Sequence, residues 1–341
     1  MRLTVPCLLL LILGCGPESV SRNANMLSLD GKALGSTWSV KVWSEQRLDR
    51  EELGKSIVTE IERAEKIFSH WRPDSELYQF NQALTTSPVS IHPQLHALMK
   101  HAWWMYQQTK GAFDPTIAPL VNLWGFGPVS VNRFAIPTEE EIKQALRQTG
   151  LGKLEILPDK QVRKKRPDLQ IDLSGSAKGE IIDQVCQLLD RRGLLNYLVE
   201  IGGEIRARGG VMGDPGWIVA LEDGFVGEDR KMTKISLIDY AVATSGTYRQ
   251  TKPNPYSTKS ASHLINPRTG RPVEHNLVAV NVLAPTARDA DAFATALMVL
   301  GLKEGMHLAR EMNLPARFCI KDGKFHRYKH TPHFDSMYPR N

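Results

Sequence analysis

The chain has 341 residues, a length that suggests about two domains. Its 43 Lys and Arg residues against 37 Asp and Glu residues give a net charge of +6, which is too mild to predict a nucleic-acid partner. With 42% hydrophobic and 23% charged residues, the composition excludes disordered and collagen-like chains, and four cysteines are too few for a disulfide scaffold of this size.

The N-terminus is typical of an export signal. An apolar run from Leu3 to Leu13 follows the single cation Arg2 and is too short to span a bilayer. It ends at Gly14-Cys15, which resembles a bacterial lipobox, where the cysteine is acylated and becomes the mature N-terminus; an ordinary secretory signal with a chance cysteine is the alternative. We therefore expect a lipoprotein signal peptide at 1–14, lipid on Cys15 and a tether over 15–26.

This leader predicts where the protein works. Two acyl chains and an acyl amide would anchor the chain stably, so we expect a lipid-anchored protein on the periplasmic, extracytoplasmic face of a bacterial membrane. Downstream of the tether only Cys186 and Cys319 remain, both among apolar residues. Buried thiols are favoured over a bridge, which an oxidising compartment would still permit.

Hydrophobic periodicity predicts both helices and strands in the rest of the chain. Apolar residues at helical spacing predict helices at 51–68, 94–110, 139–149, 177–189 and 289–302. Strands are predicted at 34–43, 154–157, 169–173, 197–208, 217–221, 235–243 and 277–283. The basic run Arg163–Arg166 is then the solvated tip of a hairpin. Because no regular βαβ rhythm appears, we predict an α+β fold with mixed or antiparallel sheets and packed helices.

The segment from Asp172 to Gly179 is the first candidate for chemistry. A predicted strand ends, a turn of small residues follows and a helix begins. Gly175 would let the backbone approach a ligand closely, and the open N–H groups of a helix start favour an anion such as phosphate. The spacing of a Walker motif is absent. The alternative is a plain strand–helix connection with Lys178 in solvent.

A carboxylate and a hydroxyl share one face of the last predicted helix. Asp291 and Thr295 are four residues apart, in a helix that is apolar nearly all round and therefore predicted to be buried. A buried carboxylate must be paired or bound to a metal, and two oxygen donors suit a hard cation such as Mg²⁺. The alternative is that Asp291 favours the helix N-terminus and Thr295 bonds back to its own helix.

Two loop segments carry weaker signals. His263 precedes a turn set by Pro267 and Gly270, and a loop histidine can act as a general base, although a lone histidine is weakly specific. Phe113 and Asp114 offer an aromatic face and an acceptor before Pro115; a structural turn is the default interpretation.

Taken in order, these segments resemble the ApbE family of FAD:protein FMN transferases. The resemblance rests on eight stretches, Ala33–Trp38, Trp71–Leu77, Gly111–Thr116, Asp172–Gly179, Glu200–Glu204, Ala243–Gly246, His263–Gly270 and Asp291–Gly301. It implies an ApbE-like flavin transferase domain over 27–335, built as one unit or as two α+β subdomains. Family members usually have Met at the position of Leu34, often Tyr at that of Trp71, and Asp at that of Asn266. Some members have a further carboxylate at the position of Ala294.

The resemblance implies a Mg²⁺-dependent enzyme. It would move FMN from FAD onto a Thr hydroxyl of an acceptor protein through a phosphoester bond and release AMP. The metal would be held by Asp291, Thr295 and the backbone carbonyl of Gly175, with His263 as the base. The implied FAD contacts are Leu34, Trp71, Ala112, Phe113, Asp114, Asp172, Lys178 and Ile265.

The resemblance also implies a class of partner. Acceptors would be flavin-carrying subunits of the Rnf or Na⁺-translocating NADH:quinone reductase type, with an Asp-Gly-x-x-Ser/Thr-Gly-Ala-Thr motif. Two other functions stay open at this point. One is a Mg²⁺-dependent FAD pyrophosphatase that yields FMN and AMP, and the other is a non-catalytic FAD-binding lipoprotein.

Overall fold

A computed structural model describes residues 26–129, 136–211, 214–224, 233–249, 251–252, 261–323 and 325–339. The predicted signal peptide, Cys15 and the tether up to residue 25 lie outside the described residues. Within the described ranges, no helix has the length and apolarity needed to cross a membrane.

The described helices are α1 Arg50–Phe68, α2 Glu76–Gln82, α3 Pro93–Gln108, α4 Ala118–Leu123, α5 Glu139–Gln148, α6 Ser174–Arg191, α7 Ala287–Glu311 and α8 Pro332–Met337. The described strands are β1 Met26–Ala33, β2 Ser36–Trp43, β3 Val89–Ser90, β4 Leu154–Ile156, β5 Gln161–Lys164, β6 Tyr197–Ile201, β7 Glu204–Arg208, β8 Trp217–Leu221, β9 Thr233–Leu237, β10 Ala241–Gly246, β11 Thr251–Lys252, β12 Ala261–Ser262, β13 Ile265–Asn266, β14 Arg271–Pro272, β15 Leu277–Ala284, β16 Ala316–Asp322 and β17 Phe325–His330.

An eight-stranded sheet in the order β1-β2-β6-β7-β10-β15-β16-β17 organises the fold. Each neighbouring pair is antiparallel, so consecutive strands in this order run in opposite directions. The β1–β2 turn, the β6–β7 turn and the C-terminal end of β10 therefore lie at the same end of the sheet. We call this the site end.

The two faces of the sheet are covered differently. Alternate residues such as Val199 and Ala243 point into a core shared with α1, α3, α6 and α7. Their neighbours Leu198 and Val242 point the other way and pack against the β8–β9 hairpin and Phe334 of α8. The sheet is thus buried on both faces, which explains why its inner strands are almost continuously apolar.

The structure confirms the α+β class and the main predicted helices. The single strands predicted at 197–208 and 235–243 are each two strands, which are interrupted at Gly202–Gly203 and at Asp239, where φ is positive. Cys186 and Cys319 are free and buried as predicted, and burial raises the pKa of both thiols, that of Cys319 to about 12.

The predicted hairpin around Arg163–Arg166 is wrong. The partner of β4 is β5, not residues 169–173, and both Arg163 and Lys164 lie within β5. The side chain of Asn81 bonds the N–H and C=O of Ile171 at 2.8 Å each, in place of a neighbouring strand. Lys164 is buried, and its ammonium donates to the carbonyl oxygens of Asn81 (3.2 Å) and Ala83 (2.9 Å) at the end of α2.

Candidate active site

The site forms where the first turns of α6 approach α7. A Cβ atom added to Gly179 would overlap the carbonyl oxygen of Ala287, so only glycine allows this helix spacing. The approach brings the Gly179 N–H to 3.1 Å from Oδ2 of Asp291, to which it donates. Asp183 of α6 accepts hydrogen bonds from the N–H groups of Ala287 (2.9 Å) and Arg288 (3.0 Å) and so caps the start of α7.

Oxygen donors converge beside Gly175 at the start of α6. A Cβ atom on Gly175 would lie 3.0 Å from the Phe113 ring and 3.3 Å from Oγ1 of Thr295. Ser245, at the end of β10, places its hydroxyl 3.3 Å from the same Thr295 oxygen. Asp291 lies one helical turn before Thr295 on α7. Asp291, Thr295 and the Gly175 backbone are the residues here that could hold a hard cation.

The described residues contain no cluster of three or more His, Cys, Asp or Glu side chains suited to a metal. The donor set beside Gly175 is of another type, since it combines one carboxylate with a hydroxyl and a peptide group.

Charges alternate around Asp291. Burial raises the pKa of Asp291 to about 7; Lys178 opposes this shift and the nearby Glu204 carboxylate reinforces it. Lys178 forms a 2.8 Å ion pair with Glu204. Burial lowers the pKa of Lys178, but the carboxylates of Glu204 and Asp291 outweigh that effect, so the pKa is raised and the ammonium stays charged.

A second group of predicted residues lies at the β1–β2 turn. Leu34 and Gly35 both have positive φ, as a tight two-residue hairpin turn requires. The Leu34 N–H donates to Oε1 of Glu65 at 2.9 Å, and Oε2 of Glu65 pairs with Arg72 at 3.4 Å. Glu65 thereby connects the hairpin tip to the loop that carries Trp71, a residue that is 52% exposed.

A backbone hydrogen bond joins the turn at Asp114–Thr116 to the turn at Asp172–Ser174. The Asp172 N–H donates to the carbonyl of Pro115 at 2.7 Å, and Oδ1 of Asp172 accepts from the N–H of Ser174 at 2.8 Å. His70 lies 3.6 Å from the Asp172 carboxylate. Asp114 is buried, which raises its pKa, and Oδ1 accepts from the N–H (2.8 Å) and hydroxyl (2.6 Å) of Thr116. His70 and Asp172 line a small surface cleft together with Tyr78 and Asn81.

Comparison with known proteins shows the family to which the chain belongs. The sequence model of the ApbE family matches residues 34–318. The chain belongs to the ApbE family. A relative named FAD:protein FMN transferase from Salmonella typhimurium is 34% identical over 335 residues, covering 96% of this chain and 94% of the relative. The relative of the same name from Vibrio cholerae is 36% identical over 324 residues, covering 94% of each chain. The chain is accordingly an enzyme of the transferase class.

Solved ApbE structures share the fold. The flavin transferase ApbE from Vibrio cholerae superposes with a TM-score of 0.83 at 35% identity, covering 92% of this chain and 99% of that one. The apo flavinyl transferase ApbE from Pseudomonas stutzeri gives a TM-score of 0.84 at 31% identity, covering 93% of this chain and 98% of that one. The ApbE-like architecture expected from the sequence is confirmed.

Three further residues are expected from the ApbE resemblance to belong to the site: His263, Ile265 and Ala112. His263, between β12 and β13, has its ring edge-on to Phe126 with centroids 6.4 Å apart. The side chain of Ile265 is buried with Leu120 and Ala145, so it would meet a ligand through its backbone. Ala112 is also buried, directly before Phe113. The roles assigned to these residues stay predictions.

The sequence analysis assigned no role to three residues of the candidate site, Glu65, Glu204 and Arg249. Glu65 lies on an amphipathic helix and has no local motif. Glu204 ends the Gly202-Gly203-Glu204 run that the ApbE resemblance had highlighted, but no role had been assigned to it. Arg249 follows β10, with its guanidinium 3.6 Å from Oε1 of Glu204. The signal that the sequence did offer was an acid directly after two glycines.

Proposed function

We propose that the protein is a Mg²⁺-dependent FAD:protein FMN transferase. It transfers FMN from FAD to a Thr hydroxyl of an acceptor protein, forms a phosphoester bond and releases AMP. The observation that carries this proposal is the meeting of the α6 start with the Asp291–Thr295 pair of α7 at Gly175. The names of the full-length relatives support the same activity.

The residues fit a magnesium ion. A buried carboxylate and a hydroxyl one turn apart face a helix start where any side chain at position 175 would crowd Thr295. Hard oxygen donors of this kind are those that Mg²⁺ takes, usually in company with substrate phosphates. Asp291, Thr295 and the Gly175 carbonyl would hold the ion, which would neutralise charge on the pyrophosphate when bound.

Other residues of the chain would bind FAD and take up the proton of the acceptor hydroxyl. Lys178 adds a positive charge near the N–H groups at the start of α6, a region suited to phosphate. Trp71 supplies exposed aromatic surface for a flat ring, whereas the Phe113 ring is buried beside Gly175. The acceptor Thr oxygen bonds to the phosphorus of the FMN half, and the bond from that phosphorus to the bridging oxygen breaks. AMP leaves with the bridging oxygen, and His263 takes the hydroxyl proton.

The acceptor and the location follow from the same proposal. We infer that the partners are flavin-carrying subunits of the Rnf or Na⁺-translocating NADH:quinone reductase type. We also infer that the enzyme reaches them on the periplasmic side of a bacterial membrane, anchored by lipid on Cys15.

One incubation tests the proposal. The full chain is mixed with FAD, Mg²⁺ and a protein fragment that carries the Asp-Gly-x-x-Ser/Thr-Gly-Ala-Thr motif. We expect a fluorescent fragment band and AMP in equal amounts. AMP and free FMN without a labelled band would identify a pyrophosphatase instead, and FAD that is bound but unchanged would indicate a storage protein.

A further inference from the structure

Glu204 occupies an unusual position for a carboxylate. It is the first residue of β7, at the site end of the sheet, and its side chain is only 3% exposed. Its two oxygens face two cations, since Oε2 lies 2.8 Å from the Lys178 ammonium and Oε1 lies 3.6 Å from the Arg249 guanidinium. Burying a carboxylate is strongly unfavourable unless such partners compensate for it.

The backbone around Glu204 is built so that Arg249 can reach it. Gly203 has φ +97°, and a Cβ atom there would lie 2.7 Å from Nη2 of Arg249. Arg249 also donates to the Gly202 carbonyl at 2.6 Å. A side chain at position 203 would therefore push the guanidinium away from Glu204. This explains why a glycine directly precedes the acid.

Glu222 is a second acid that contacts Arg249. Oε2 of Glu222 accepts from Nη2 of Arg249 at 3.2 Å and from the Tyr248 hydroxyl at 2.6 Å. Charges thus alternate from Glu222 through Arg249, Glu204 and Lys178 to Asp291. Glu204 contacts both Arg249 and Lys178, and Lys178 lies near enough to Asp291, the expected metal ligand, to affect its pKa.

Of the Lys178–Glu204 pair, Lys178 is the partner that is able to meet a ligand. Its side chain is 29% exposed, while that of Glu204 is almost fully enclosed. A lysine has four rotatable side-chain bonds and loses much conformational freedom when it is held in one place. Glu204 restrains Lys178 before any substrate arrives, which is the condition for effective electrostatic stabilisation.

We propose that Glu204, anchored by Arg249, is a positioning residue that holds the Lys178 ammonium beside Asp291, where it meets the pyrophosphate of FAD. This inference rests on the proposed function and adds to it a role for the Gly202-Gly203-Glu204 turn. Glu204 does not itself touch FAD; it acts through Lys178.

The test is a double-mutant cycle on the full chain, with AMP release and fragment labelling as readouts. We expect Glu204→Gln to lower kcat roughly 10- to 100-fold, with a smaller change in the KM for FAD. Lys178→Met should lower kcat at least as much. The double variant should match Lys178→Met alone, because a residue that acts only through Lys178 has nothing left to position.

Controls separate this role from general stability. Glu180→Gln removes another largely buried acid of the α6 region, paired with Arg288 at 3.3 Å, and should keep wild-type kcat. If Glu204→Gln does not fold, Arg249→Gln replaces it; this variant should show a smaller loss that again disappears in the Lys178→Met background.

Two results would overturn the inference, and they are distinguishable. Losses that multiply in the double variant would show that Glu204 acts independently of Lys178, with the proposed function intact. A wild-type enzyme that neither releases AMP nor labels the fragment would overturn the proposed function and this inference together.

Discussion

At the scale of a single residue, Asp291 is a buried carboxylate that is expected to bind a metal ion. Its side chain lies between α6 and α7, and one carboxylate oxygen is already engaged by the Gly179 N–H. Without a cation the carboxylate is poorly solvated, which is why its pKa is raised to about 7. A bound divalent ion would reverse this balance, because it favours the ionised form.

The raised pKa of Asp291 predicts how the stability of the metal-free protein depends on pH. The folded state keeps this proton up to about pH 7, while the unfolded chain loses it near the ordinary value of 3.8. The contribution of Asp291 to the free energy of unfolding is therefore full at pH values below the unfolded pKa and is lost as the pH rises to about 7. The size of this loss is on the order of 4 kcal/mol as an upper bound. Asp291→Asn should abolish this loss. Urea unfolding at pH 4.5 and 7.5 checks it, and an equal loss in the variant would contradict it.

Thr295 offers a matched test of the second oxygen donor. Thr295→Val keeps the shape of the side chain but removes the hydroxyl, so the fold should persist while the affinity for Mg²⁺ falls. We expect the Mg²⁺ concentration for half-maximal AMP release to rise by roughly 10- to 100-fold. Ser245→Ala, which removes only the hydroxyl next to Thr295, should have a smaller effect. Unchanged Mg²⁺ dependence in Thr295→Val would remove Thr295 from the ligand set.

At the scale of elements, the site depends on how closely α6 and α7 pack. Gly179 removes the side chain that would separate the helices, and Asp183 caps the start of α7 from α6. Both contacts fix the axial position of α7 relative to α6. Asp291 and Thr295 therefore reach the Gly175 turn as a consequence of helix packing.

A glycine substitution checks this packing. Gly179→Ala would place a methyl group against the backbone at Ala287, so we expect a loss of at least about 2 kcal/mol in the free energy of unfolding. Gly152→Ala is the control, because a Cβ atom there meets nothing within 4 Å. Urea denaturation of both variants decides the matter; equal stability of the two would show that the helices can separate freely.

At the level of single elements, the sequence predicts best those helices whose apolar residues form one buried face. Helix α1 is predicted almost to the residue because its apolar stripe is a local feature. The pairing of β4 with β5 was missed because the partner strand carries charges, and Lys164 is buried only through carbonyl groups contributed by α2. Partners that are distant in sequence cannot be recovered from local pattern.

At the scale of the whole molecule, strand order brings the site together. The β1–β2 turn with Leu34, the Gly202-Gly203 turn and the end of β10 meet at the site end only because neighbouring strands are antiparallel. Short motifs in the sequence identified most of these segments. Their connections through Glu65 and Arg249 needed the structure, since both side chains bridge segments that are far apart in the chain.

The whole-molecule proposal includes a lipid anchor. Cells fed labelled palmitate should incorporate label into the wild-type protein and retain it in the membrane fraction. Cys15→Ser should abolish both label and retention, because no thiol is then available at the expected acylation site. Label on the variant, or a wild-type protein without label in the same cells, would contradict the anchor and leave the soluble activity unaffected.

The account's central claim is a divalent ion held by Asp291, Thr295 and the Gly175 carbonyl against the pyrophosphate of FAD. The most direct measurement is anomalous diffraction from crystals soaked with FAD and Mn²⁺, a stand-in for Mg²⁺ with an anomalous signal. We expect one strong peak within about 2.5 Å of these three oxygens and next to the phosphates. A peak at other residues, or bound FAD with no peak here, would contradict the claim.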